Sequence, residues 1–190
     1  MEPWFINMNL ARALGRRIGA TIEGGAEAVL RRQGRHMRFR ALETVEDQFK
    51  LFDSLPEEGQ LAQLKLMLDN WEAIGSQLPR MLNVWRRGDA EGLDRILNDG
   101  LRSDPAVRGA LLEARNRAWA EWIARRLERP GTVFLAVGAG HLVGGDSVQT
   151  FLAQRGIRSA RVAAHVSRGE PRPAFPPCRT RVDDRCIQPR

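Results

Sequence analysis

Residues 132–137 read Thr-Val-Phe-Leu-Ala-Val, a short uncharged run rich in β-branched side chains, and Gly138-Ala139-Gly140-His141 follows at once. That is the pattern of a strand covered on both faces, as in parallel sheets. A helix is predicted next, from about Asp146 to Gln154, with Gly156 as its stop and a second strand over 159–164. Together these make a βαβ unit. Residues 37–42 (Met-Arg-Phe-Arg-Ala-Leu) alternate apolar and basic side chains and are predicted as a further strand, at an edge. The expected fold class is therefore α/β and helix-rich, with a small, mostly parallel sheet, flanking helices and a C-terminal βαβ unit.

Most of the remaining chain has helical periodicity. Leu61, Leu64, Leu68, Trp71, Ile74 and Leu78 recur every three or four residues, which predicts a long amphipathic helix from Pro56, broken at Pro79. Shorter helices are expected over 81–87 and, opened by Asp89, over 90–101. Ser103-Asp104-Pro105 then starts a long helix with a capping residue and a first-turn proline, running to about Glu128 before Pro130-Gly131.

The 190 residues, 43% hydrophobic, predict one domain over 1–166 and a Pro- and Arg-rich flexible tail over 167–190, which holds five of the ten prolines. The formal charge of +7 comes from 28 Arg against 2 Lys, a skew that points to Arg-rich coding. It is also banded, with residues 41–104 carrying −6, so no nucleic-acid partner is expected. No run approaches the roughly 20 apolar residues of a membrane span. Met1-Glu2-Pro3-Trp4 lacks the features of a secretory signal, so the chain as written reads as cytoplasmic. Cys178 and Cys186 either close a small disulfide loop or are free thiols, and their spacing is too loose for a zinc signature.

Three places could carry chemistry. His141 sits on a glycine-rich turn at the carboxyl end of the first predicted strand, where sites form in open α/β sheets, and near a helix N-terminus that favours neutral imidazole. It is either a metal ligand or a partner of a loop carbonyl. The turn's G-x-G-x-x-x-G spacing is one residue too long for a dinucleotide fingerprint. Arg115 and Asn116 fall on the predicted buried side of the helix that starts at Pro105. There a guanidinium needs an internal carboxylate or faces a cleft where it binds a carboxylate or oxyanion. Glu43 precedes Thr44, a predicted N-cap completed by Asp47, at the end of the 37–42 strand, where a carboxylate could be a ligand or a general base. His36, among five arginines, and His165 are weaker candidates, and the five tryptophans read as packing residues.

Taken in order, Arg40-Ala-Leu-Glu-Thr-Val-Glu-Asp-Gln-Phe49 with Phe52-Asp-Ser-Leu-Pro56, Ala114-Arg-Asn-Arg-Ala-Trp-Ala120 with Ile123, and Phe134-Leu-Ala-Val-Gly-Ala-Gly-His-Leu142 resemble one family. They are similar to the later part of the TraB/PrgY/GumN family, which includes the TIKI peptidases, over about residues 3–164. The resemblance implies an α/β scaffold in which two G-x-x-H motifs, a Glu and an Arg form a metal-dependent hydrolytic site. It matches Gly138 to His141 to the second motif, Glu43 to the Glu and Arg115-Asn116 to the Arg-Asn pair. It implies His141 and Glu43 as ligands of a divalent metal (Mn, Co or Zn), Glu43 alternatively as the base that activates water, Arg115 as the oxyanion-stabilising group and Asn116 as its orienting partner. A peptide or protein substrate follows, and a periplasmic or secreted location for the full-length form. The first G-x-x-H is not in this sequence, since Gln33 and Val162 precede His36 and His165 by three. The chain is thus expected to be shortened at its N-terminus or to have a misplaced start, with half of the metal site. The alternative is a non-catalytic remnant or interaction domain on the same scaffold.

Overall fold

The structure, a computed structural model, describes residues 1–21 and 23–161, apart from the side chains of 74–76. His165, Cys178, Cys186 and the tail from 167 lie outside the described residues. In chain order the helices are α1 (Pro3–Arg17), α2 (Ala26–Gln33), α3 (Val45–Asp53), α4 (Glu57–Asp69), α5 (Trp71–Arg87), α6 (Ala90–Arg102), α7 (Pro105–Arg108), α8 (Arg115–Leu127) and α9 (Val148–Gln154). A π-helical stretch, Gly109–Ala114, joins α7 to α8, and a 3-10 turn, Ala139–Leu142, carries His141.

The helix starts follow from capping chemistry. Thr44 and Asp47 form a reciprocal box, each side chain accepting from the other's backbone N–H at 3.0 and 3.1 Å. Asp89 accepts from the Gly92 N–H at 2.8 Å. Asp104 accepts from Ala106 and Val107, both at 3.0 Å. The predicted break at Pro79 is not where the chain breaks, because Pro79 lies inside α5. The interruption comes at Asn70, whose backbone N–H and side-chain amide both donate to the Leu66 carbonyl and end α4. Leu61 and Leu68, expected on the buried stripe, are exposed.

The expected sheet is absent. Of the described residues 68% are helical, and among them there is no strand, no parallel sheet and no βαβ unit. A strand exists only as half of a pair, and residues 132–137 have no partner among the described residues. Their backbone groups form no backbone hydrogen bonds among the described residues, and Phe134 is 73% exposed. Residues 37–42 are unpaired as well, with Phe39 folded back beside Gly34 and under the Arg31 guanidinium. Residues 159–161 are irregular, and 162–164 lie outside the described residues.

What remains of the expected architecture is its core. Trp119 and Ala120 of α8 pack with Val148, Phe151 and Leu152 of α9, and Leu42, Ile123, Val137 and Ile157 close around them. Leu42 and Val137 are the last residues of the two runs predicted as strands, so each run is anchored at its end. That anchoring sets Glu43 and the turn at Gly138 beside α8. Away from this core, α1 packs on α4, and Trp4 stacks on Phe52 at 5.5 Å while its indole N–H donates to Asp53.

Substitution of Phe134 by Ala is expected to change unfolding stability by less than about 0.5 kcal/mol. The same change at buried Phe151 should cost about 3–5 kcal/mol. Comparable losses at both positions in denaturant midpoints would restore a two-face-covered strand at 132–137.

Candidate functional site

α8 begins immediately after the π-helical stretch, with Arg115 and Asn116 as its first two residues. Such a local widening shifts the register of the side chains that follow and is frequent at functional sites. Here Asn116 is fully buried and Arg115 half-buried, both on the side that faces Glu43 and His141.

The Asn116 amide bridges two segments. Its Nδ2 donates to the Asp146 carbonyl at 2.6 Å, and its Oδ1 lies 2.7 Å from His141 Nδ1. A carbonyl can only accept, so the amide orientation is fixed and Nδ1 of His141 must carry the proton. Nε2 of His141 is left with its lone pair. Burial, with the nearby Arg115 charge adding to it and Glu43 opposing it, pushes the imidazole pKa down to about 4. At neutral pH His141 is therefore an uncharged donor, held as one tautomer.

Glu43 faces Arg115 rather than His141. Arg115 Nε donates to the two carboxylate oxygens at 2.9 and 3.1 Å, and Nη2 donates to Oε2 at 2.8 Å, across 72 residues of sequence. Burial works to raise the Glu43 pKa, but the bonds and charge of Arg115, with smaller help from Gln48 and Trp119, hold it below its ordinary value. Sequence spacing left open whether Arg115 pairs internally or faces a ligand. The geometry shows the internal pair, at a site where about a fifth of each side chain is still exposed.

Two contributors escape the sequence reading. Trp119, read as a packing residue, lies between the two halves of the site: its ring centroid is 4.5 Å from that of His141, and the Arg115 guanidinium sits 5.0 Å over it. Its indole N–H is buried without a hydrogen-bond partner, near enough to Glu43 to favour the carboxylate. The helical period alone marks Trp119 as inward and says nothing about its neighbours. Asn98 of α6, nearly fully buried, donates to Asp94 at 2.9 Å and to the Gly140 carbonyl at 3.1 Å, so α6 grips the His141 turn from its other side. A Cβ at Gly140 would lie 3.0 Å from Asn98 Oδ1, which favours glycine there. No local signal marks Asn98, since α6 also carries the weak helix formers Gly92, Asp94, Asp99 and Gly100.

The four predicted site residues are thus brought together, as Glu43–Arg115 on one side of Trp119 and Asn116–His141 on the other. They do not complete a metal centre. No group of three or more His, Cys, Asp or Glu able to hold an ion exists among the described residues, while a catalytic metal takes three protein ligands. His141 Nε2 suits the role, but both Glu43 oxygens are engaged by Arg115. His36, in the Arg31 to Arg40 stretch, is not part of this site. No helix among the described residues is long and apolar enough to cross a membrane.

Because folded His141 resists protonation, the unfolded chain binds more protons between pH 6.5 and about 4. Stability should fall as pH is lowered through that window, and His141→Gln should flatten this part of the profile. An unchanged slope in the variant would show that the imidazole is not held neutral. Asn98→Ala should cost about 1–2 kcal/mol by leaving the Gly140 carbonyl without its donor, read from urea midpoints.

A family model described as the TraB/PrgY/gumN family matches residues 1–161 of the 190-residue chain. No curated protein and no solved structure matches.

Proposed function

Since the chain belongs to the TraB/PrgY/gumN family, we propose that it carries half of a metal-dependent hydrolytic site acting on peptide bonds. The observation that carries this reading is His141, neutral, half-buried beside Trp119 and locked by Asn116 through Nδ1, which leaves Nε2 with its lone pair. An imidazole with a pKa of about 4 takes up protons poorly at neutral pH, so it is better suited to lone-pair donation than to general-base work.

A bound divalent metal would supply Lewis acidity and an activated water, with His141 as its donor from this chain. The described residues alone do not complete that centre. Asn116 fixes the His141 tautomer and ring orientation. Arg115, half-buried and always charged, is placed to stabilise a developing oxyanion once Glu43 releases it. The buried Trp119 N–H, close to the Glu43 carboxylate, offers a second donor on that side. Glu43 holds Arg115 until then, and afterwards its carboxylate is available as ligand or base.

One observation favours a second reading. The Glu43–Arg115 pair is self-satisfied, and the site has no third ligand among the described residues, as expected for a non-catalytic scaffold or interaction domain.

Metal content per chain after loading with Mn²⁺, Co²⁺ or Zn²⁺, compared with His141→Ala, separates the two readings. Uptake in the parent that the variant loses supports the hydrolytic half-site, and Arg115→Ala should then abolish cleavage of an unstructured peptide while leaving uptake within a few-fold. Equal, negligible metal in both chains sinks the first reading in favour of the second.

A further inference from the structure

The Arg31 to Arg40 stretch is used by neither the core nor the candidate site. Residues 28–42 contain Arg31, Arg32, Arg35, Arg38 and Arg40 and no Asp or Glu. All five arginines are exposed, and none forms an ion pair among the described residues. Some arginines elsewhere, Arg102, Arg108, Arg115 and Arg155 among them, do have acidic partners, but the 28–42 segment offers none within itself. An acid-free segment of unpaired guanidinium groups is a concentrated local field that the chain's overall banding conceals.

The same segment shows apolar side chains to solvent. Met37 is 54% and Phe39 42% exposed, interleaved in sequence with Arg38 and Arg40. A tight turn produces this, with the Gly34 N–H donating to Leu30 and the Met37 N–H to Gly34. Gly34 is buried beneath both side chains, since a Cβ there would lie 3.0 Å from the Phe39 ring and 3.3 Å from the Met37 sulfur. The turn therefore presents a small apolar knob on the end of a basic helix.

We propose that this knob is a docking surface for an anionic lipid bilayer. Headgroup phosphates complement the five guanidinium groups, while Met37 and Phe39 reach the boundary between headgroups and acyl chains. Each basic residue near an anionic leaflet multiplies affinity about fivefold, so five of them suffice for reversible binding without a span. A nucleic acid fits less well. Its binding would call for a free aromatic face to stack bases, and the Phe39 ring lies under Arg31 at 5.3 Å and against the Gly34 turn. Met37 has no counterpart on a phosphate backbone. The surface is independent of the His141 site, and its use does not rest on any catalytic activity.

Cosedimentation of the full chain with vesicles tests this. It should sediment with phosphatidylcholine vesicles that contain phosphatidylglycerol, be released as salt rises, and stay in solution with phosphatidylcholine alone. The double variant Arg35→Gln, Arg38→Gln should weaken partitioning more than tenfold. Met37→Ser with Phe39→Ser should weaken it at fixed salt while keeping the salt dependence. Both variants change exposed residues and leave the tail from 167 intact, and circular dichroism checks that they keep the parent's helix content. Failure to sediment with the anionic vesicles, equal binding to neutral ones, or full binding by the Met37/Phe39 variant each overturns the proposal. So does an oligonucleotide that binds in the same salt range and strips the chain from vesicles.

Discussion

Asn116 is the joint on which the candidate site depends. Its amide is fully buried, and a buried amide without partners costs several kcal/mol, so both ends must be satisfied for α8 to pack at all. The partners it finds, the Asp146 carbonyl and His141 Nδ1, both belong to the loop between residue 138 and α9. One side chain thus ties the longest stretch of the α8 core to the turn bearing the imidazole. It also dictates which ring nitrogen is free. Adjacent residues of a regular helix diverge by about 100°, which lets Arg115 turn to Glu43 while Asn116 turns to His141.

The Glu43–Arg115 pair sets a condition on anything the site binds. Two opposite charges at about 4 Å attract by roughly 4 kcal/mol at an effective dielectric near 20, and removing one partner of a buried pair leaves the other desolvated and alone. A ligand that offers only a cation to Glu43 would strand Arg115. Productive binding has to satisfy both groups at once, with positive character toward Glu43 and an oxygen anion toward Arg115. That is the polarity of a carbonyl under attack, and it is also the reason a resting site can look inert. The Trp119 ring, against both His141 and Arg115, keeps the two halves close without adding a charge of its own.

Local chemistry was legible in the sequence where it is settled within one turn. Thr44 with Asp47, Asp89 and Asp104 cap helices as their spacing indicates, and Gly156 ends α9 with a positive φ of 75°. The inward side of α8 was readable over its first turns, where Asn116 and Trp119 are buried, but not at its end, where Leu127 is exposed. What failed depends on partners far away in sequence. The run at 132–137 has the composition of a buried strand, but composition cannot supply a second strand, and none among the described residues pairs with it. Pro79 misled for a related reason: it removes one hydrogen bond without ending α5, while α4 ends at Asn70, whose side chain folds back on the Leu66 carbonyl. Asn98 was invisible because its acceptor, the Gly140 carbonyl, lies 42 residues on.

The missing sheet changes what holds the His141 turn. In a parallel sheet the strand before such a turn is clamped along its length by neighbours on either side. Here only its end, Val137, reaches the core, while Val133 and Phe134 face solvent. The turn is held instead by two asparagines, Asn98 from α6 and Asn116 from α8. Each contributes on the order of 1 kcal/mol net, far less than a strand ladder would. The two anchors also differ in cost to release: α8 is part of the main core, while α6 packs on α5, α7 and the turn itself. Opening at α6 would free the Gly140 side of the turn while Asn116 still held the imidazole, so the face of the site toward α6 is the one expected to move first.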